Sequence, residues 1–265
     1  MADLKGKVAV VTGASRGVGR GIAEGLAEAG ATVYITGRSQ SSENPPAPRT
    51  IQATARAVDD LGGKGIAVAV DHNDDEQVKA LFDRVAKEQG RLDILVNNVY
   101  KIPDPPAWGG GFWEHPISVW DDQCGVGLRG YYVASVYGAP LMVAQKCGLI
   151  VNISSSGGDG YTFSSSYGVC KSGVDRMAVD MAVELKKYSV AALSLRPAAV
   201  KTEFILDAVE SGAVQMDLKA AQSPRFSGRC VAALAMDPDI MTKTGGIFSV
   251  AKLAQEYRFT DPDQA

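Results

Sequence analysis

Apolar and polar positions along the chain follow two rhythms. Continuous apolar runs predict buried strands at Lys7–Thr12, Thr32–Thr36, Ile66–Asp71, Asp93–Asn97, Leu149–Ser154, Val190–Arg196 and Gly246–Val250. Between these runs, apolar residues recur at helical spacing. Gly17–Gly30 carries Ile22, Leu26 and Ala29 on one face, with Gly30 placed to end the helix. Similar patterns predict helices near Thr50–Leu61, Asp75–Glu88, Pro116–Lys146, Tyr167–Lys187 and Gly228–Met236. Strand and helix in steady alternation imply right-handed crossovers. The expected fold is therefore α/β, a doubly wound, parallel, seven-stranded sheet of Rossmann type in a single domain spanning the 265 residues. Such sheets bind ligands beyond the carboxyl ends of their strands.

Two stretches break the rhythm on that edge. Ser39–Arg49 is rich in Ser and Pro, and Tyr100–His115 is rich in Pro, Gly and Trp. Each is either a tolerated surface loop or a wall of the site. Trp108, Phe112 and Trp113 favour the second reading for the later loop, because large aromatics in open water are costly.

The first strand runs into Thr12-Gly13-Ala14-Ser15-Arg16-Gly17-Val18-Gly19, and a helix begins within it. A pyrophosphate needs bare backbone N–H groups at a helix N-terminus, and glycine lets the backbone come close. The spacing is Gly-x-x-x-Gly-x-Gly, not Gly-x-Gly-x-x-Gly. Its place between strand and amphipathic helix makes it a phosphate cradle. The same residues also spell Gly-x-Ser-x-Gly, a hydrolase nucleophile elbow. That enzyme needs a histidine base after the serine, usually late in the chain. The two histidines are His72 and His115, so none follows His115, and one strand alone precedes the motif. The hydrolase reading fails.

Tyr167 and Lys171 stand four residues apart at the start of a helical pattern, so they share one helix face. A cation beside a phenol favours the phenolate, which equips the tyrosine to give or take a proton near neutrality. Just upstream, Ser154, Ser155 and Ser156 end the fifth strand, where a hydroxyl can hydrogen-bond a substrate oxygen.

Composition excludes more than it identifies. A net charge of -3 carries no nucleic-acid footprint. No apolar run approaches a bilayer span, and the opening residues do not read as a signal peptide. Cys124, Cys147, Cys170 and Cys230 lack metal-ligand spacing and read as reduced, buried small hydrophobes, and no metal is expected. A cytoplasmic enzyme fits.

With these motifs together, the chain resembles the short-chain dehydrogenase/reductase family over nearly its whole length. The family's glycine motif matches Thr12–Gly19, so Gly13, Ser15, Arg16, Gly17, Val18 and Gly19 are implied to bind the dinucleotide. Its Asn-Asn-Ala-Gly turn matches Asn97-Asn98-Val99-Tyr100 in the asparagines alone. The resemblance implies Tyr167 and Lys171 as catalytic residues, with Ser155 the matching serine and Ser154 an open alternative. It further implies that Lys171 holds the nicotinamide ribose, that Asn97 contacts the cofactor, and that Asp71 and the His72 backbone meet the adenine. The family's Pro-Gly turn after the sixth strand, part of its cofactor site, matches Pro197-Ala198, and Val200 and Thr202 fall where the family binds carboxamide and phosphate. The family's fourth catalytic residue, an asparagine, falls on Gly127. The relay then uses another group or bulk water, in which case Gly127→Asn should be nearly neutral, or the helix is bulged and the role is lost.

No acid follows the second strand, where NAD-preferring members of the fold carry one. Arg38 stands there instead, and Arg16 lies within the glycine loop, so NADP(H) is expected over NAD. The reaction implied is hydride transfer between nicotinamide and a carbonyl or secondary alcohol. Tyr161, Phe163, Phe204, Trp108 and Phe112 are candidate walls of an apolar pocket, and the segment from Lys201 to Pro224 a candidate lid. The resemblance also implies a homodimer or homotetramer joined through the two long helices. A protein that binds NADP without turnover is the competing reading. A reductase of activated double bonds ranks below both.

Overall fold

The computed structural model describes residues 3–263. Its strands are β1 (Val8–Val11), β2 (Thr32–Gly37), β3 (Lys64–Ala69), β4 (Ile94–Asn97), β5 (Gly148–Ile153), β6 (Val190–Arg196) and β7 (Ile247–Ser249). They form one seven-stranded sheet in the order β3-β2-β1-β4-β5-β6-β7. The pairings β1–β2, β2–β3, β4–β5 and β5–β6 are all parallel. Every residue of β1, β4 and β5 is buried, as strands covered on both faces require. The edge strand β3 is only half covered.

The helices are α1 (Gly17–Glu28), α2 (Ile51–Asp60), α3 (Asp75–Gln89), the single turn α4 (Ser118–Trp120), α5 (Gly130–Gln145), α6 (Ser165–Leu185), α7 (Glu203–Glu210), α8 (Pro224–Met236) and α9 (Val250–Tyr257). The pattern expected as one helix over Pro116–Lys146 is therefore divided. Between α4 and α5 the backbone is π-helical from Asp121 to Arg129. β3 ends two residues before Asp71. That residue is drawn into a turn instead, its carboxylate accepting from the Asn73 N–H and its own N–H donating to Gln77 Oε1. Helix α8 begins earlier than its apolar pattern, because Ser223 caps it and Pro224 occupies the first helical position. Helices α7 and α9 were not expected. Each is short, and is capped by Thr202 and Ser249 respectively.

Two compact units partition these elements. One contains the residues up to Ala69, Pro197–Ile240 and the chain from Ser249, and so holds β1–β3 with α1, α2, α7, α8 and α9. Its helices α1 and α8 pack backbone to backbone: a Cβ on Gly25 would come within 2.3 Å of Gly228. The other contains Val70–Arg196 and Met241–Phe248, with β4–β6 and α3–α6.

In the second unit a buried carboxylate ties the long helix to the sheet. Asp175 of α6 accepts from Ser194 Oγ of β6 at 2.5 Å and from Arg196 Nε at 3.1 Å. Arg196 also binds Asp159, in the turn after β5. Helix, strand end and turn are thus joined through one guanidinium. Removing the carboxylate leaves Arg196 and Ser194 without it in a dry setting. Asp175→Ala should cost about 3–5 kcal/mol of stability in urea unfolding. A loss below about 1 kcal/mol would show the clamp to be unimportant.

Candidate active site

The glycine loop leaves β1 and is tied to β2 by the Ala14 N–H bond to Thr36 O at 2.9 Å. Ser15 packs on Gly37, and Arg16 takes the extended N-cap position of α1 with no side-chain capping bond. Gly13 and Gly17 have φ of 65° and 59°, which glycine adopts without penalty. Val18 and Gly19 fall in the first turn of α1, which carries no acidic residue. An anion comes from elsewhere. Glu203, at the start of α7, places Oε2 2.8 Å from the Gly17 N–H. A carboxylate thus sits where the helix dipole favours negative charge. This contact is the direct evidence that the loop's donors suit an anionic oxygen.

The segment from Lys201 to Pro224 is closed at its base. Val200 and Gln222 form a β-bridge, and Ala198 N–H donates to Gln222 Oε1 at 3.2 Å, just after Pro197. Thr202 caps α7 through its hydroxyl. Besides Glu203, Asp207 anchors this helix by a two-pronged pair with Arg49 of the Ser39–Arg49 loop, at 2.7 and 2.9 Å. The Arg49 hydrogen bonds, with Arg16 also nearby, hold the Asp207 carboxyl below its ordinary value. Arg16 and Arg38 are both exposed. Sequence reasoning missed Glu203, Asp207 and Arg49, since nothing local marks residues that meet across more than 150 positions.

In the second unit, β5 ends and α6 begins so that three predicted residues meet. Ser164 caps α6 through the Tyr167 N–H. The Tyr167 hydroxyl donates to Ser155 Oγ at 2.9 Å. Ser155 Oγ also accepts from the Gly157 N–H at 3.1 Å, so its own hydrogen remains to be donated. A Cβ on Gly157 would lie 2.6 Å from the tyrosine ring, which explains the glycine there. Ser154 turns away and donates to the Lys171 carbonyl. Lys171 is buried, and its ammonium donates to Ile153 O at 3.2 Å. Asn97, at the end of β4, donates to Ser135 Oγ and Asn152 Oδ1, both at 2.9 Å. Its own Oδ1 is buried without a hydrogen-bond partner, an acceptor open to a further donor.

Tyr100 and Gly127 are linked. A Cβ at Gly127 would lie 2.7 Å from the Tyr100 ring and 3.3 Å from Cys170 Sγ. An asparagine at this position has room only if Tyr100 moves, a packing cost absent from the relay expectation for Gly127→Asn. Around Tyr167, Phe163 stacks edge-on at 5.2 Å and Trp108 lies beyond it at 6.2 Å from Phe163. Phe112 instead stacks on Trp113, and both are exposed. A surface hollow of about 640 Å³ runs along Gly157–Tyr161 and α6, but Ser155, Tyr167 and Lys171 do not line it. Cys147 is exposed, contrary to the expectation for the four cysteines, because it follows the end of α5.

The chain belongs to the short-chain dehydrogenase family, whose model matches residues 7–211. It is an oxidoreductase acting on a CH–OH or C=O group. Among its relatives, dehydrogenase/reductase SDR family member 1 of Mus musculus is 44% identical over 99% of this chain and 85% of that protein. The Homo sapiens counterpart is 43% identical with the same coverage. A metagenomic short-chain oxidoreductase solved in complex with NADP superposes with a TM-score of 0.72 at 29% identity, covering 93% of this chain and 96% of that one. Among the described residues, no helix is long and apolar enough to cross a membrane.

His72 lies beside Asp71 and is almost wholly buried, at 2% exposure. Burial pushes its imidazole down to about 4, against a smaller upward pull from Asp71. The buried form is neutral. As pH falls, the unfolded chain takes up the proton first, near its ordinary value of about 6.5. The stability this group confers is therefore complete above that pH and is lost progressively down to about pH 4. Between pH 7 and 4.5, wild-type protein should lose about 2 kcal/mol more unfolding free energy than His72→Gln. Equal losses in the two proteins would show that this histidine does not titrate as stated.

Proposed function

We propose that this chain is an NADP(H)-dependent oxidoreductase that interconverts an apolar ketone and its secondary alcohol. The hydrogen bond between Tyr167 and Ser155, with the Lys171 ammonium alongside, carries the reading. The nicotinamide, when bound, supplies or accepts the hydride. Ser155 donates its remaining hydrogen to the substrate oxygen and orients it. Tyr167 passes its phenolic proton to that oxygen as negative charge develops there, and Lys171 stabilises the phenolate left on Tyr167. In the oxidative direction the same proton returns to Tyr167.

The cofactor residues are Gly13, Ser15, Arg16, Gly17, Val18 and Gly19 for the phosphates, with Thr202. Asp71 and the His72 backbone serve the adenine, Lys171 the nicotinamide ribose and Val200 the carboxamide, while Arg38, Asn97, Tyr167 and Pro197 also contact the cofactor. The Gly17 N–H can receive a pyrophosphate oxygen only when the Glu203 carboxylate leaves it. Helix α7 and the segment around it then act as a lid whose seat is shared with the cofactor. Preference for NADP(H) is supported by the absence of an acid after β2 and by Arg16 and Arg38 in the open. Phe163 and Trp108 favour an apolar substrate. Relatives named (-)-trans-carveol dehydrogenase and cis-4-hydroxycyclohexanecarboxylate dehydrogenase, 33% and 31% identical, point to alcohols on six-membered rings. Exposed Tyr132, Val136, Val169 and Val183 on α5 and α6 favour a homo-oligomer through those helices, and the cytoplasm is the compartment proposed for it.

A screen of NADPH oxidation against ketones, quinones, steroids and enoyl thioesters should show turnover with ketones. Tyr167→Phe should lower it by about 10²–10⁴, and Ser155→Ala by about 10²–10³. Undiminished ketone reduction by Tyr167→Phe would refute the mechanism.

The cofactor preference has a separate test. NADPH should exceed NADH in catalytic efficiency by at least about tenfold, and Arg38→Ala should erase most of that margin while sparing NADH. Equal efficiency in the wild type would assign the chain to NAD.

A further inference from the structure

Lys171 is a buried cation with one backbone acceptor, Ile153 O. Among the described residues no carboxylate forms an ion pair with it, and Asp175, one turn along α6, is already held by Ser194 and Arg196. What faces the ammonium is aromatic. Its Nζ lies 5.1 Å from the centre of the Tyr100 ring and 5.8 Å from that of Tyr167. The two rings meet edge to face at 6.0 Å with an interplanar angle of 90°. The negative face of a ring attracts a cation within about 6 Å, more strongly where water is excluded.

The backbone makes room for this arrangement. Tyr100 leaves the end of β4 and lies over Gly127, where any side chain would strike its ring. Gly127 sits in the π-helical stretch Asp121–Arg129, an irregularity common at functional sites. From the same stretch, Gln123 is buried, hydrogen-bonds Ser166 at 2.5 Å and reaches the Tyr100 hydroxyl. Burial keeps the Tyr100 phenol well above its ordinary range, so this hydroxyl stays protonated and exchanges no proton near neutrality.

We propose that Tyr100 is a positioning residue for Lys171: its ring face, seated over Gly127, holds the ammonium beside Tyr167. The assignment rests on the proton-transfer reading above for its catalytic meaning, but not for its geometry. The ring is what matters, and the hydroxyl is dispensable.

Two readouts test it. In cofactor-free protein, acetylation of Lys171 by acetic anhydride is followed by peptide mass spectrometry. Tyr100→Leu should speed this labelling about fivefold or more, and Tyr100→Phe should stay within about twofold of wild type. With NADPH and cyclohexanone as probe, Tyr100→Leu should lose about 10–30-fold in kcat/KM while Tyr100→Phe retains it. Incorporating 3,4,5-trifluorophenylalanine at position 100 keeps the ring's shape and drains its face, so it should fall between Phe and Leu in both readouts. That variant keeps the test decisive if Tyr100→Leu fails to fold. Leu labelling at the wild-type rate, Phe as impaired as Leu, or trifluorophenylalanine matching Phe would each overturn the proposal. If the labelling series holds but Tyr167→Phe reduces cyclohexanone normally, the proton-transfer reading fails and the placement of Lys171 stands.

Discussion

One buried positive charge organises the second unit. The Lys171 ammonium is held by a strand-end carbonyl and two ring faces, with no ion-paired carboxylate among the described residues. Much of the surrounding chain exists to make that setting possible. Gly157 lets the Tyr167 ring settle against the turn after β5, and Gly127 lets Tyr100 lie across the π-helical stretch. The Asp175–Arg196 clamp fixes the helix that carries Lys171 to the neighbouring strand. A counter-ion would hold the cation too, but it would also neutralise the field that the proposed proton transfer at Tyr167 relies on.

The first unit meets an opposite demand, a backbone donor at a helix start matched with an anion. The N-terminus of α1 has no acid of its own, and α7 supplies one through Glu203. With Arg49 on Asp207, the short helix is held at both its start and its middle by charge. Such contacts are strong enough to order a segment and weak enough for a phosphate to replace, since a carboxylate and a phosphate oxygen make the same kind of charge-assisted bond. The Glu203 carboxylate thereby occupies the backbone N–H that the proposed cofactor would need.

The alternation of strands and helices, the glycine loop, and the Tyr167–Lys171 pair were legible in the chain because each depends on short-range periodicity or spacing. Seven apolar runs became seven strands, and the β6 bounds Val190–Arg196 agree to the residue. The family's signature residues were legible for the same reason. The boundaries that slipped were those set by side chains reaching back to the backbone, as where Asp71 and Gln77 ended β3 early or Ser223 and Pro224 began α8 early.

Sequence alone determined the class of fold, the family and the residue types available for chemistry, because local patterning encodes all three. The tertiary structure decided which serine meets Tyr167, why position 127 has no side chain, and which carboxylate occupies the glycine loop. Each of those answers is a contact between residues far apart in the chain. Whether such residues touch depends on how the intervening elements pack, which no local pattern records.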